Sequence, residues 1–177
     1  MGDLTPNFSA SEFDVAEPWP TNQYDKRANL VGLWQWFRDL AGVPIIITSA
    51  YRSPAHNASV GGADHSQHME CEAADGLFIG ISDRTLTGKL LAAEASGDAP
   101  DYGQFIVYED TGHTHISVGT RREKLVAFLD GDGVRSYRPV SAATDVPVIA
   151  QTTISVGGIV IAIIVALFLF SRTAKNV

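Results

Sequence analysis

Apolar residues recur at intervals of three and four between residues 22 and 40, where Leu30, Leu33, Trp34, Phe37 and Leu40 would share one helical face. Gly42 and Pro44 supply the stop signals that end such a helix. The β-branched run that follows predicts a buried strand over about 44–49, and a loop rich in Ser, Asn and Gly leads on to Gly62. A second strand is expected over 73–81, then a helix from Asp83, as its cap, to about Ala95. QFIVYED and HTHISVG flank Thr111-Gly112, a hairpin signal, and KLVAFLD and VRSYRP flank Gly131-Asp132-Gly133 in the same way. Near the start, Ser9 or Ser11 could cap a short turn, with Glu12 reaching back. Helices mixed with hairpin-linked strands predict an α+β fold whose sheet is mostly antiparallel.

The far end of the chain has a different pattern. No charged residue occurs between Asp145 and Arg172, and ISVGGIVIAIIVALFLF shows no polar face. At 1.5 Å per residue this run spans roughly 25 Å, and the milder residues before it bring it to membrane thickness. The expectation is a transmembrane helix over 152–171, a linker over 139–151 and a short basic tail over 172–177. Gly158, Ala162 and Ala166 form a small-residue stripe suited to helix-mediated self-association. Arg172 and Lys175 favour a C-terminus on the cytoplasmic or virion-interior side. The first residues lack the pattern of a secretory signal. A single-pass protein with a C-terminal anchor is therefore expected, with residues 1–138 as its folded domain.

Composition narrows the function. The chain of 177 residues carries a formal charge of −7 and no basic block, which argues against holding a phosphate backbone, so no nucleic-acid partner is expected. One cysteine excludes an internal disulfide framework. With 45% hydrophobic residues the chain has enough apolar surface to fold.

The candidate chemistry lies in the histidines. His68 and Asp75 stand seven apart in SQHMECEAAD, and imidazole and carboxylate are both zinc ligands. A third ligand must come from elsewhere, and His113 and His115, with period two on one strand, offer it. Three protein ligands and an open position describe a catalytic zinc site rather than a structural one.

The stretch ITSAYRSPAHNASVGGADHSQHMECEAADG resembles the signature of the zinc D-alanyl-D-alanine carboxypeptidase family, whose fold is shared with the hedgehog signalling domain. Ser66, His68, Ala73 and Asp75 fall in register with its Ser-x-His-x-x-Gly-x-Ala-x-Asp motif, and Tyr51, Arg52 and Ser53 match a Tyr-Arg-Ser that follows a strand. His115 in HISV matches the family's downstream histidine, and NFSASEF is similar to the opening of a bacteriophage-type branch. The resemblance covers about residues 5–138. It implies that His68, Asp75 and His115 hold Zn2+, that Arg52 faces the substrate carboxylate and that Ser66 donates a hydrogen bond in the substrate pocket.

The catalytic base is less direct. Gly112 occupies the place where some members have Glu, whereas His113 matches a His-x-His variant and Glu109 a Glu six residues before the last ligand. A three-residue hairpin loop, Asp110 to Gly112, would set Glu109 opposite His113, so that Glu109, His113 and His115 share a face. The expectation is Glu109 as base, with His113 stabilising the oxyanion or assisting proton transfer. Cys71 replaces the family glycine, and a positive φ there would strain it. The implied function is hydrolysis of peptidoglycan stem peptides, as a D-Ala-D-Ala carboxypeptidase or an L-Ala-D-Glu endopeptidase, with a lytic phage or virion enzyme as one setting. The alternative is an inactive peptidase-like scaffold serving a membrane-containing particle.

Overall fold

The computed structural model describes residues 2–147, 151–156 and 159–164, the last two stretches by their backbone alone. Helix α1, Tyr24–Ala41, follows a short 3-10 turn and buries Leu30, Val31, Leu33, Trp34 and Phe37. Gly42 ends it at φ 74°, donating its N–H to the Arg38 carbonyl at 2.8 Å. Helix α3, Asp83–Ser96, buries Leu86, Leu90 and Ala93. Its N-cap is Ser82, one residue before the expected Asp83, and Ser82 Oγ accepts from the Thr85 N–H. The loop after the first strand contains a short helix, α2, Pro54–Ser59, which the apolar pattern did not reveal. Its signal is local instead: Ser53 caps it and Pro54 opens it.

Six strands form one sheet in the order β1-β2-β4-β3-β5-β6: β1 Ile45–Ser49, β2 Ala73–Phe78, β3 Gln104–Tyr108, β4 Thr114–Ser117, β5 Glu123–Leu129 and β6 Arg135–Pro139. Every pair is antiparallel except β3 with β5. The expected α+β class and mostly antiparallel sheet are therefore present. One face of the sheet, with Phe78, Phe105, Val107, Ile116 and Val126, joins Trp34, Phe37, Leu86 and Leu90 in a single buried cluster. Each large side chain buried there stabilises the fold by roughly 1.5–3 kcal/mol relative to exposure. The opposite face carries the site, because successive side chains along a strand alternate between faces.

Two expectations change at the C-terminal end. Val140 and Val146, in what reads as linker, are buried, and Arg84 of α3 donates through Nε to the Val146 carbonyl at 2.7 Å. Residues up to 147 are thus packed onto the domain. Gln151–Val156 and Ile159–Ile164 pair as antiparallel strands, β7 and β8, where a transmembrane helix was expected. The reason is composition: Thr152, Thr153, Ile154, Val156, Ile159, Val160 and Ile161 are β-branched, which favours strands, and Gly157-Gly158 lies between the two runs. Among the described residues no helix is long and apolar enough to cross a membrane. The rest of the expected span, and the basic tail, lie outside the described residues.

Candidate active site

A row of paired residues crosses the sheet: Ser49, Asp75, His115, Ile106 and Leu125 stand opposite one another on five adjacent strands. Asp75, His115, Ile106 and Leu125 line a cleft of about 1170 Å³, and His68 enters it from the loop before β2. Folding therefore brings His68, Asp75 and His115 together, all buried. His68 Nε2 lies 3.2 Å from Asp75 Oδ1, His115 Nδ1 lies 2.9 Å from the same oxygen, and the two nitrogens are 3.3 Å apart. Ligands about 2.0–2.1 Å from a tetrahedral zinc are separated by about 3.3–3.4 Å. The observed triangle needs to open by only a few tenths of an ångström to hold the ion.

Surrounding groups fix this donor set. His68 Nδ1 donates to the Ala50 carbonyl at 2.6 Å, which turns Nε2 toward the trio. His115 turns Nδ1 toward Asp75 and places Nε2 3.4 Å from Gln67 Oε1. Burial opposes ionisation of Asp75, but the facing His68 imidazole and hydrogen bonds from both histidines override it and hold the carboxyl well below the usual range. Burial lowers the His115 pKa, against the opposing pull of Asp75. An anionic carboxylate at Asp75 is the protonation state that a divalent cation requires.

A family model described as Peptidase M15 matches residues 6–117. The chain belongs to the peptidase M15 family. Membership makes it a zinc metallopeptidase, and the converging donors provide a place for the metal. No curated protein matches the chain.

The remaining candidates in this M15 peptidase separate. Arg52 lines the cleft, but its Nη2 donates to Asp75 Oδ2 at 2.6 Å and its Nε to Ser49 Oγ at 2.8 Å. Its fork is engaged by the Asp75 carboxylate and the Ser49 hydroxyl. Ser66 also lines the cleft, and its Oγ accepts a long 3.4 Å bond from the His68 N–H. His113 lines the cleft with Thr111 Oγ1 2.6 Å from its Nδ1, and burial lowers its pKa.

Glu109 does not share the face of His113 and His115. Tyr108 donates its backbone N–H to the His113 carbonyl, and Gly112 donates to the Tyr108 carbonyl, so the hairpin loop has four residues, Glu109 to Gly112. Tyr108 thus stands opposite His113, and a register one residue from the expected one turns Glu109 to the other side of the sheet. Its carboxylate is held by Arg138 at 2.5 Å, away from the cleft lining.

Cys71 adopts φ 58°, the left-handed conformation that suits glycine. It is fully buried, and burial pushes its thiol up to about 11. A neutral thiol in the apolar cluster is no competitor for the metal. Three contributors escaped the sequence reading: Gln67, Tyr108 and the Ala50 carbonyl. Gln67 precedes a ligand and Tyr108 alternates with Ile106, so strand parity held a signal for the second; a backbone carbonyl leaves none.

Proposed function

We propose that this M15 peptidase hydrolyses amide bonds in peptidoglycan stem peptides, with His68, Asp75 and His115 as its zinc ligands. The observation that carries the reading is the buried His-Asp-His triangle at the wall of a large cleft. Zinc held there would lower the pKa of a coordinated water toward neutrality and polarise the scissile carbonyl. Arg52 holds the Asp75 carboxylate in place through Oδ2. His113 is the proton carrier: Thr111 engages Nδ1, so Nε2 is the atom that exchanges a proton with the reacting groups. Ser66, whose hydroxyl proton is not committed to the His68 N–H it receives, donates to the substrate.

The cleft lining extends from Gly61, His65 and Gln67 on one side of the trio to Leu125, Arg135 and Tyr137 on the other. Room on both sides favours an endopeptidase of the L-Ala-D-Glu type over a carboxypeptidase, which needs only a terminal residue beyond the cut. The uncharged C-terminal segment would tether the enzyme to a lipid bilayer in a bacterial envelope or virion, with self-association through that segment.

The test combines metal analysis with product identification on purified murein peptides. One zinc per chain, chelator-sensitive cleavage and L-Ala-D-Glu scission by mass spectrometry are expected. Release of D-Ala alone reverses the endopeptidase choice, and cleavage that survives complete metal removal rejects the whole reading. Flotation of the full chain with liposomes tests the tether, and protein left entirely at the bottom of the gradient refutes it.

A further inference from the structure

The hairpin between β3 and β4 carries a cluster that the zinc site alone does not explain. The Tyr108 ring stacks on the His113 imidazole with centroids 4.3 Å apart and planes 25° apart. On this same ring sits the guanidinium of Arg135, 5.1 Å from the centroid, reaching across from β6. Arg135 also forms a two-pronged ion pair with Asp110, at 2.5 and 2.8 Å. Asp110 lies in the loop that ends at His113, and Thr111 of that loop holds His113 Nδ1. Two elements thus fasten one imidazole from its face and its edge.

We propose that Tyr108 and Thr111 are positioning residues for His113, the first backing the ring and the second fixing its Nδ1 edge, with Arg135 clamping both through Tyr108 and Asp110. This rests on the peptidase reading for its kinetic consequence but not for its geometry. An imidazole on a short strand end otherwise samples several χ2 settings, since that torsion is broad. Stacking of this type contributes beyond mere burial, and a cation over the outer ring face adds to it. A proton carrier held in one orientation raises turnover without tightening substrate, because misplacement by about an ångström costs on the order of 100-fold.

The test uses the full zinc-loaded chain. Tyr108→Leu should lower kcat at least tenfold with KM within twofold and zinc at one per chain, and Tyr108→Phe, which keeps the ring, should recover most of that loss. The non-kinetic readout is the NMR shift of the His113 ring protons, displaced upfield by the Tyr108 ring in the parent protein and returned to ordinary values in Tyr108→Leu. Thr111→Val, at an exposed loop position that tolerates substitution, is the second variant should Tyr108→Leu not fold. It should lower kcat severalfold and broaden the His113 ring signals. A Tyr108→Leu or Thr111→Val protein with parental kcat and parental His113 signals overturns the proposal. A parent chain that binds zinc yet cleaves no murein peptide defeats the peptidase reading alone, and the ring shifts still decide the positioning.

Discussion

At the scale of single residues, the site is a set of groups whose charge states are fixed by their neighbours. His68→Ala or Asp75→Ala should reduce zinc from one per chain to a small fraction and abolish cleavage with it, as metal analysis beside an activity assay will show. Glu109→Gln should behave differently. Its partner is Arg138, not the cleft, so kcat should stay within about threefold, where loss of a general base costs 10²–10⁴-fold. A hundredfold fall in that variant would restore Glu109 as the base.

Asp83 provides a pH prediction. Burial raises its pKa to about 7, so the folded state holds a proton that the unfolded state has released between about pH 4 and 7. Asp83 stability is therefore present at low pH and lost as pH rises through about 7. One unit corresponds to about 1.4 kcal/mol, and the N-terminus of α3 offsets part by favouring the anion. Asp83→Asn should raise stability at pH 8 by about 2 kcal/mol and flatten the slope of chemical denaturation midpoints between pH 4 and 7. An unchanged slope would count against this account.

At the scale of elements, sheet register decides what the residue types can do. Alternation along β3 and β4 was legible from sequence, and it correctly paired His113 with His115. Loop length was not, because a three-residue and a four-residue connection look alike around Thr111-Gly112, and only the closing bonds at Tyr108 distinguish them. One residue of slip exchanged Tyr108 for Glu109 on the cleft face. The β2 strand shows how tightly the other face is fixed. A Cβ on Gly76 would meet the Trp34 ring at 2.8 Å, and Trp34 is fully buried against Phe78. Gly76→Ala should destabilise by about 1–3 kcal/mol in urea unfolding, and because Gly76 adjoins Asp75 it should weaken zinc retention as well.

At the scale of the molecule, the folded unit runs further than composition implies. Val146 is fully exposed to neither solvent nor a linker environment: it is buried and its carbonyl is held by Arg84. A chain ending at Pro147 should keep the parental melting temperature and cleavage rate of the domain. One ending at Arg138 should lose several degrees or fail to fold, because Val140 and Val146 leave the core. Equal stability of the two would show that residues 139–147 contribute nothing.

The sequence by itself determined the α1 and α3 helices and the strands around the site, and its resemblance to the peptidase family marked His68, Asp75 and His115 as one set. The helices and strands depend on local periodicity and backbone preference, which neighbours along the chain express. Only the tertiary structure decided that Arg52 braces Asp75, that Glu109 pairs with Arg138, that Tyr108 backs His113 and that residues 140–147 join the core. Each of those is a meeting of groups 20 or more residues apart, or a one-residue choice of register, and a linear pattern holds no distance between such groups.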